Sequence, residues 1–531
     1  MAHFDQNIHL YFHLASNHPI CFYFFNIFKH LGFYSPYPVF INNKYCASQM
    51  IQLKNSWSTP QTPSTKFILH YLLPGLLVFS IALLVRLYLT YSIGNSGDEF
   101  ERWYQSKRVL EGIGMDRLDH HTLRWSINIP TLIFQWLLGT KPVIYYLIPA
   151  SFGALATLFV FTISRSIAGL SAGFFAALLF TVTPQISIAA NNLMPAIFSC
   201  TYLLGTVYFT LRFVENEKST YLIFATLFMF FAYGSKVPNL FFLPGLIIFI
   251  YWRTNRLRPL LLFLSLLLLL FILETIGIAL YTGEFVWQGR IHYLGQHMDV
   301  MQDEQWAYHI SDIWKRWLLL PGYWQCLLIG SLICGTFILF SKNKKYNKSI
   351  SLVFLMLLSF SFISTLAITS IDPLRFVQPP INRYLTVTIP FAVIIICCTL
   401  SLTNLVLTPA MTIVLCWFWA SSNYQKQLSP TWTPAVLRAN EYQETISEHW
   451  RNDYALLFKF SKDARLYRAV YLEDDILFKN DGAVERIGRV APSRFDYPSR
   501  LPILFVMSKT KAPVGYLELT RKQAIKSKKN F

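Results

Sequence analysis

The run LLLFLSLLLLLFILETIGIAL, residues 260–280, carries one ionisable group, Glu274. An apolar helix of about 20 residues crosses the roughly 30 Å hydrocarbon layer of a bilayer. A soluble core has no room for such runs in series. Comparable runs lie near 67–89, 142–164, 168–187, 194–213, 220–235, 238–252, 318–340, 350–370, 384–402 and 406–421, which with 260–282 makes eleven candidate spans. The runs 220–235 and 238–252 are short enough to be half-buried. Composition agrees: 54% of the 531 residues are hydrophobic and 14% charged, where soluble domains carry about a quarter charged residues. The expected fold class is mainly α, a polytopic helical membrane protein. Soluble multidomain enzymes, disordered chains and disulfide scaffolds are excluded.

The net charge of +18 suggests a nucleic-acid partner, but the distribution of charge argues against one. The basic residues concentrate in short connections such as RTNRLR (253–258) and SKNKKYNK (341–348), where the positive-inside rule puts them on the cytoplasmic side. The connections 90–141, 283–317 and 371–383 then face outward, together with the C-terminal tail. Six acids fall in the first of these: Asp98, Glu99, Glu101, Glu111, Asp116 and Asp119. The eight cysteines are scattered without metal or redox spacing.

Three regions follow. Residues 1–65 are an N-terminal extension, disordered or interfacial, with Met50 a plausible alternative start. Residues 66–421 form the membrane domain. Residues 422–531 form a soluble, outward, small α/β domain, with VYLEDDI and LPILFVMS reading as strands. The acceptor sequence for N-glycosylation, at Asn347, falls in a basic inner loop, and the outward tail has no cysteine. Both features favour a bacterial inner membrane.

Four clusters carry candidate chemistry. GNSGDEFERWYQ (94–105) sets Asp98 beside Glu99 just outside the first span. Adjacent carboxylates raise one another's pKa, which suits a proton acceptor at neutral pH. A helix cap is the plain alternative. LDHHTLRWSINIP (118–130) brings His120, His121 and Arg124 ahead of an amphipathic stretch. Arg124 suits a phosphate, and the stretch suits a helix lying in the membrane interface. AYGSKVPNLFFLP (232–244) places Lys236 at a span junction, where it lines a cavity or snorkels. In IDPLRFVQPPINRYLTVTIP (371–390), prolines break the backbone between Arg375 and Arg383, as a wet cavity or a rigid turn would require. Glu274 pairs with Arg86 or serves the outer cavity, and Arg290 follows in WQGRIHYLGQH. Acids in one wall and cations in another suit a phosphate-bearing lipid substrate.

The order of GDE after a first span, SKVP at a span junction, and RY opening a late span resembles the GT-C membrane glycosyltransferases. The protein-mannosyltransferase and lipid A aminoarabinose-transferase group is the nearest in pattern, over about residues 67–400. The resemblance implies transfer of a sugar, hexosyl or pentosyl, from a polyprenyl-phosphate donor to a glycan, lipid or protein acceptor, with inversion. It implies Asp98 as catalytic carboxylate with Glu99 beside it. It puts Lys236 and Arg383 on the donor phosphate. His120, His121, Arg124, Arg290, Arg375 and Tyr384 are further candidate substrate contacts. No cofactor and no metal are expected, and membrane lipid is a constant partner. The chain departs from the family at Ala196, where members often carry Asp, and at His121 and Thr122, where many carry prolines. A transporter or flippase of lipid-linked glycans, or a noncatalytic assembly subunit, is the alternative. Transporters, however, usually show internal repeats and midplane charges.

Overall fold

The computed structural model describes residues 72–88, 97–112, 122–287, 289–292, 317, 320, 322–340, 344–366, 368–371, 374–376, 384–403, 454–457, 503–508 and 513–518. The chain divides into two compact units, 1–71 and 72–531, and every described residue belongs to the second. The N-terminal extension and the apolar run 406–421 lie outside the described residues.

The described residues are mainly helical. In chain order the helices are α1 (Leu73–Tyr88), α2 (Gly97–Leu110), α3 (Trp125–Leu138), α4 (Pro142–Ala168), α5 (Leu170–Val182), α6 (Pro184–Ala189) and α7 (Pro195–Asn216). There follow α8 (Ser219–Ser235), a 3-10 helix (Val237–Phe242), α9 (Leu243–Thr254), α10 (Leu257–Thr282), α11 (Gly322–Phe340) and α12 (Lys344–Leu366). A second 3-10 turn, Thr386–Thr388, leads into α13 (Ile389–Thr403). Five segments are long and apolar enough to cross a membrane: Val143–Ala168, Pro195–Asn216, Val237–Thr254, Leu257–Thr282 and Ser349–Leu366. Five shorter apolar helices, α1, α5, α8 and those at Trp324–Phe340 and Thr386–Leu402, overlie other runs read from the sequence.

Burial orders these helices. In α7, 78% of the most apolar window is buried, against 11% in α10, so α7 is central and α10 peripheral. α7 packs against α4 and α8, α9 against α12, and α13 against α4, α5 and α11. Without a hydrophobic drive inside lipid, close approach at small residues does much of this work. A Cβ on Gly205 would stand 2.1 Å from the Phe228 ring, between α7 and α8. One on Gly245 would stand 2.4 Å from the carbonyl oxygen of Leu355, between α9 and α12.

Prolines release carbonyls, and the fold satisfies them. Pro130 within α3 cannot donate to the carbonyl of Ser126, which instead accepts the Tyr202 hydroxyl at 2.6 Å. Pro184 stops α5 at Val182 and starts α6, so the run read as 168–187 is two helices.

The bundle has two distinct ends. At one, tight turns with left-handed Glu217 (φ 53°) and Asn255 (φ 48°) join α7 to α8 and α9 to α10, and an exposed Arg256–Glu217 pair at 3.6 Å links them. RTNRLR lies here. At the opposite end stand α2, α3, the start of α7, the break after α8 and the residues after α10. That end holds the candidate chemistry.

Three differences from the sequence reading stand out. The stretch 368–376, read as the end of the span 350–370 and the connection after it, is an antiparallel hairpin of β1 (Ile368–Ile371) and β2 (Leu374–Phe376). Near the C-terminus, β3 (Tyr454–Leu457), β4 (Ile503–Ser508) and β5 (Pro513–Glu518) form an antiparallel sheet in the order β3-β4-β5. β4 coincides with LPILFVMS, β3 was not foreseen, and VYLEDDI lies outside the described residues. Finally, Glu274 does not pair with Arg86. Arg86 lies against Gly153 and donates to the Thr157 hydroxyl at 3.2 Å, whereas Glu274 faces Arg290.

Candidate functional site

The segment around α2 is held by polar contacts. α2 carries Asp98 on its first turn, and Glu99 beside it is buried and accepts the hydroxyl of Tyr145 from α4. Trp103, one turn further along α2, meets the Tyr145 ring edge-on with centroids 5.7 Å apart. Arg102, also buried, donates to the carbonyl of Leu193 at 2.6 Å and contacts the Met194 sulfur at 3.4 Å. It fixes α2 to the turn that starts α7. Tyr145 and Arg102 had no sequence signal, because each acts across a long chain separation.

α3 reverses the usual polarity of a surface helix. Ser126, Ile127, Thr131 and Gln135 face inward, and Gln135 donates to the carbonyl of Trp103 at 3.1 Å. Ile129, Ile133, Trp136 and Leu137 are exposed. A helix with polar groups inside and apolar groups outside suits the edge of a bilayer.

The junction after α8 is the best-defined part of the site. Pro238 cannot continue a helix from α8, so the backbone opens at Lys236 (φ −162°, ψ 121°) before the 3-10 helix. A buried polar network fixes this opening. Asn239 donates to the Ala232 carbonyl at 2.7 Å and the Ser199 hydroxyl at 2.8 Å, and Ser199 and Ser235 share a hydrogen bond of 2.8 Å. The Lys236 ammonium projects over the Tyr384 ring, 3.2 Å from its centroid. This is a cation–π contact, and it joins the SKVP and RY motifs directly. Nearby, Gln185 donates to the Thr386 hydroxyl at 3.4 Å.

Arg290 closes the same end. It is 2% exposed and donates to the carbonyls of Gly234 at 2.7 Å, Leu123 at 3.2 Å and Tyr233. A cation at a helix C-terminus satisfies carbonyls that have no helical partner. Its guanidinium lies 3.8 Å from Glu274, which also accepts the indole N–H of Trp125. Gly234 is required here, since a Cβ would stand 2.5 Å from the Trp125 ring.

Glu99, Arg124, Lys236, Arg290 and Tyr384 thus gather at one end of the bundle. Asp98 shares that end through α2. Arg375 lies on β2, paired with Ser370. His120, His121 and Arg383 lie outside the described residues. Ala196 opens α7, next to buried Pro195.

Residues 122–277 match the family described as dolichyl-phosphate-mannose-protein mannosyltransferase. That segment contains the SKVP motif with Lys236, together with Arg124 and Glu274, whereas GDE and RY lie outside it. No curated protein sequence matches the chain. Among solved structures, the chain is similar to ArnT from Cupriavidus metallidurans bound to undecaprenyl phosphate, with a TM-score of 0.46, 13% identity and coverage of 76% of this chain and 75% of that one. It is also similar to the archaeal oligosaccharyltransferase AglB from Archaeoglobus fulgidus in complex with an inhibitory peptide and a dolichol-phosphate, with a TM-score of 0.39, 12% identity and coverage of 82% and 62%.

Proposed function

We propose that this chain is a membrane glycosyltransferase that moves a hexosyl or pentosyl group from a polyprenyl-phosphate donor to a glycan, lipid or protein acceptor. The observation that carries this reading is Lys236, held over Tyr384 at an opened helix junction on the same end as the acid-bearing α2. The acceptor hydroxyl attacks the anomeric carbon while Asp98 takes its proton. The bond from that carbon to the phosphate oxygen breaks on the opposite face, so the centre inverts. The lipid phosphate leaves with the electron pair.

Cations lower the cost of that leaving group by stabilising the charge that develops on it. Lys236 and Arg383 serve the phosphate, with Arg124, Arg375 and Tyr384 around it and His120 and His121 toward the sugar. Phosphate is a good leaving group, so these side chains suffice without a metal. Glu99, hydrogen-bonded to Tyr145, holds α2 so that Asp98 stands at the reacting centre. The acid-rich end faces outward, in a bacterial inner membrane.

The test is turnover by purified protein in lipid. A panel of radiolabelled polyprenyl-phosphate sugars is supplied with a membrane extract as acceptor source, comparing wild type with Asp98→Asn. Label moving to an acceptor with wild type alone is the expected result. No transfer from any donor, with intact lipid binding in both proteins, overturns the reading in favour of a transporter or assembly subunit.

A further inference from the structure

The reading above puts Lys236, at the α8 junction, on the donor phosphate and Arg124, at the start of α3, beside it. The two are far apart in the chain: Arg124 precedes the first turn of α3, and Lys236 follows the last turn of α8. What joins them is a cluster around Glu274 of α10. The Glu274 side chain is 8% exposed, accepts the Trp125 indole N–H and faces the Arg290 guanidinium at 3.8 Å. Arg290 in turn binds the Leu123 carbonyl at 3.2 Å and the Gly234 carbonyl at 2.7 Å, and its guanidinium carbon lies 4.1 Å from the Tyr233 ring centroid. Leu123 and Trp125 are the immediate neighbours of Arg124. Tyr233 and Gly234 are the last turn before Lys236.

A carboxylate on an otherwise apolar helix is costly to bury and is kept where it serves a partner. A well-packed apolar residue would often hold such a position at least as stably as an ion pair. What an ion pair adds is geometry. The acid here fixes an indole and a guanidinium at once, and both of those grip backbone or ring surface beside the two cations. The Trp125 ring also seats on Gly234, the residue whose carbonyl Arg290 binds.

We propose that the Trp125–Glu274–Arg290 cluster is a positioning device that sets the separation of Arg124 and Lys236, so that both reach one lipid phosphate. Trp125 and Glu274 are positioning residues for donor binding. The inference rests on the transferase reading but is tested by a binding measurement that does not require turnover. Affinity for undecaprenyl phosphate in lipid nanodiscs is measured for wild type, Trp125→Phe, Glu274→Gln and the double variant, with thermal midpoints alongside. Trp125→Phe keeps an aromatic ring, though a smaller one, and removes the N–H donor. Glu274→Gln keeps the shape and removes the charge.

Each single variant is expected to weaken binding about tenfold, the scale of one charge-assisted hydrogen bond. The double variant is expected to lose less than the product of the two, because both act through one carboxylate. In transfer assays the loss appears in KM for the donor with kcat nearly unchanged. Single variants that bind like wild type overturn the proposal, as do losses that multiply fully in the double variant or that follow only the thermal midpoint. A wild type that binds the lipid phosphate but transfers no sugar removes the transferase reading and leaves the binding comparison in force. A wild type that binds no lipid phosphate overturns the positioning proposal.

Discussion

The Lys236 ammonium stands 3.2 Å from the centroid of the Tyr384 ring, although 148 residues separate the two in the chain (384 − 236). The contact holds a cation at an opened helix junction. A partly desolvated cation–π contact is worth about 0.5–2 kcal/mol. Tyr384→Phe keeps the ring face and is expected to keep most of the transfer activity. Tyr384→Leu is expected to lose roughly two- to thirtyfold, and Lys236→Met more than either. Initial rates with a saturating acceptor check the order.

Asp98 and Glu99 are adjacent but should respond differently. Asp98→Asn is expected to abolish transfer while lipid binding persists. Glu99→Gln keeps an acceptor for the Tyr145 hydroxyl and is expected to fold normally with reduced turnover. Tyr145→Phe removes a donor from a buried carboxylate, at a cost of about 1–3 kcal/mol of stability. The thermal midpoint in lipid reads that cost, and it should fall for Tyr145→Phe before it falls for Asp98→Asn.

Arg102 anchors α2 from within the protein. Replacing it by Gln removes a charge-assisted hydrogen bond to the Leu193 carbonyl, worth about 1.5–3 kcal/mol. The expected outcome is faster hydrogen exchange across α2, measured by mass spectrometry, with exchange in α9 and α12 unchanged.

Two glycines separate site effects from scaffold effects. Gly234→Ala puts a methyl 2.5 Å from the Trp125 ring and should displace the indole from Glu274, weakening donor binding as Trp125→Phe does. Gly245→Ala puts a methyl 2.4 Å from a Leu355 backbone oxygen. Backbone cannot yield as a side chain can, so the cost is stability, about 1–3 kcal/mol. The two variants should part when binding and thermal midpoint are plotted together.

A metal chelator is expected to leave transfer unaffected if, as proposed, Lys and Arg serve the leaving phosphate. Activity lost in chelator and restored only by Mg²⁺ or Mn²⁺ would contradict this assignment of roles.

The apolar runs were legible because length and hydropathy alone report a lipid surroundings. The junction at Lys236 was legible because Pro238 forbids the next helical turn. The break at Pro184 was obscured, since the apolar pattern runs straight through it. The sequence leaves the partner of Glu274 open between Arg86 and the outer cavity, because pairing is a tertiary fact. Arg290, only 16 positions on (290 − 274), lies beyond a short turn at the end of the same helix, while Arg86 sits on α1, held against Gly153. The hairpin at 368–376 had a usable signal, Asp372-Pro373 between two runs able to form strands. The inward polar face of α3 was also written in the sequence as Ser126, Thr131 and Gln135, but its direction depends on what lies outside the protein.

That outside also governs α10. Its buried residues are Phe263 and Leu267, and Glu274 fastens it near its far end. Leu261, Leu268, Leu269, Leu273 and Leu280 are exposed along it, a face suited to acyl chains. A bilayer of mismatched thickness tilts or shifts such a helix and changes the height at which Glu274 meets Trp125. Donor affinity should track acyl-chain length as directly as it tracks any side chain named above.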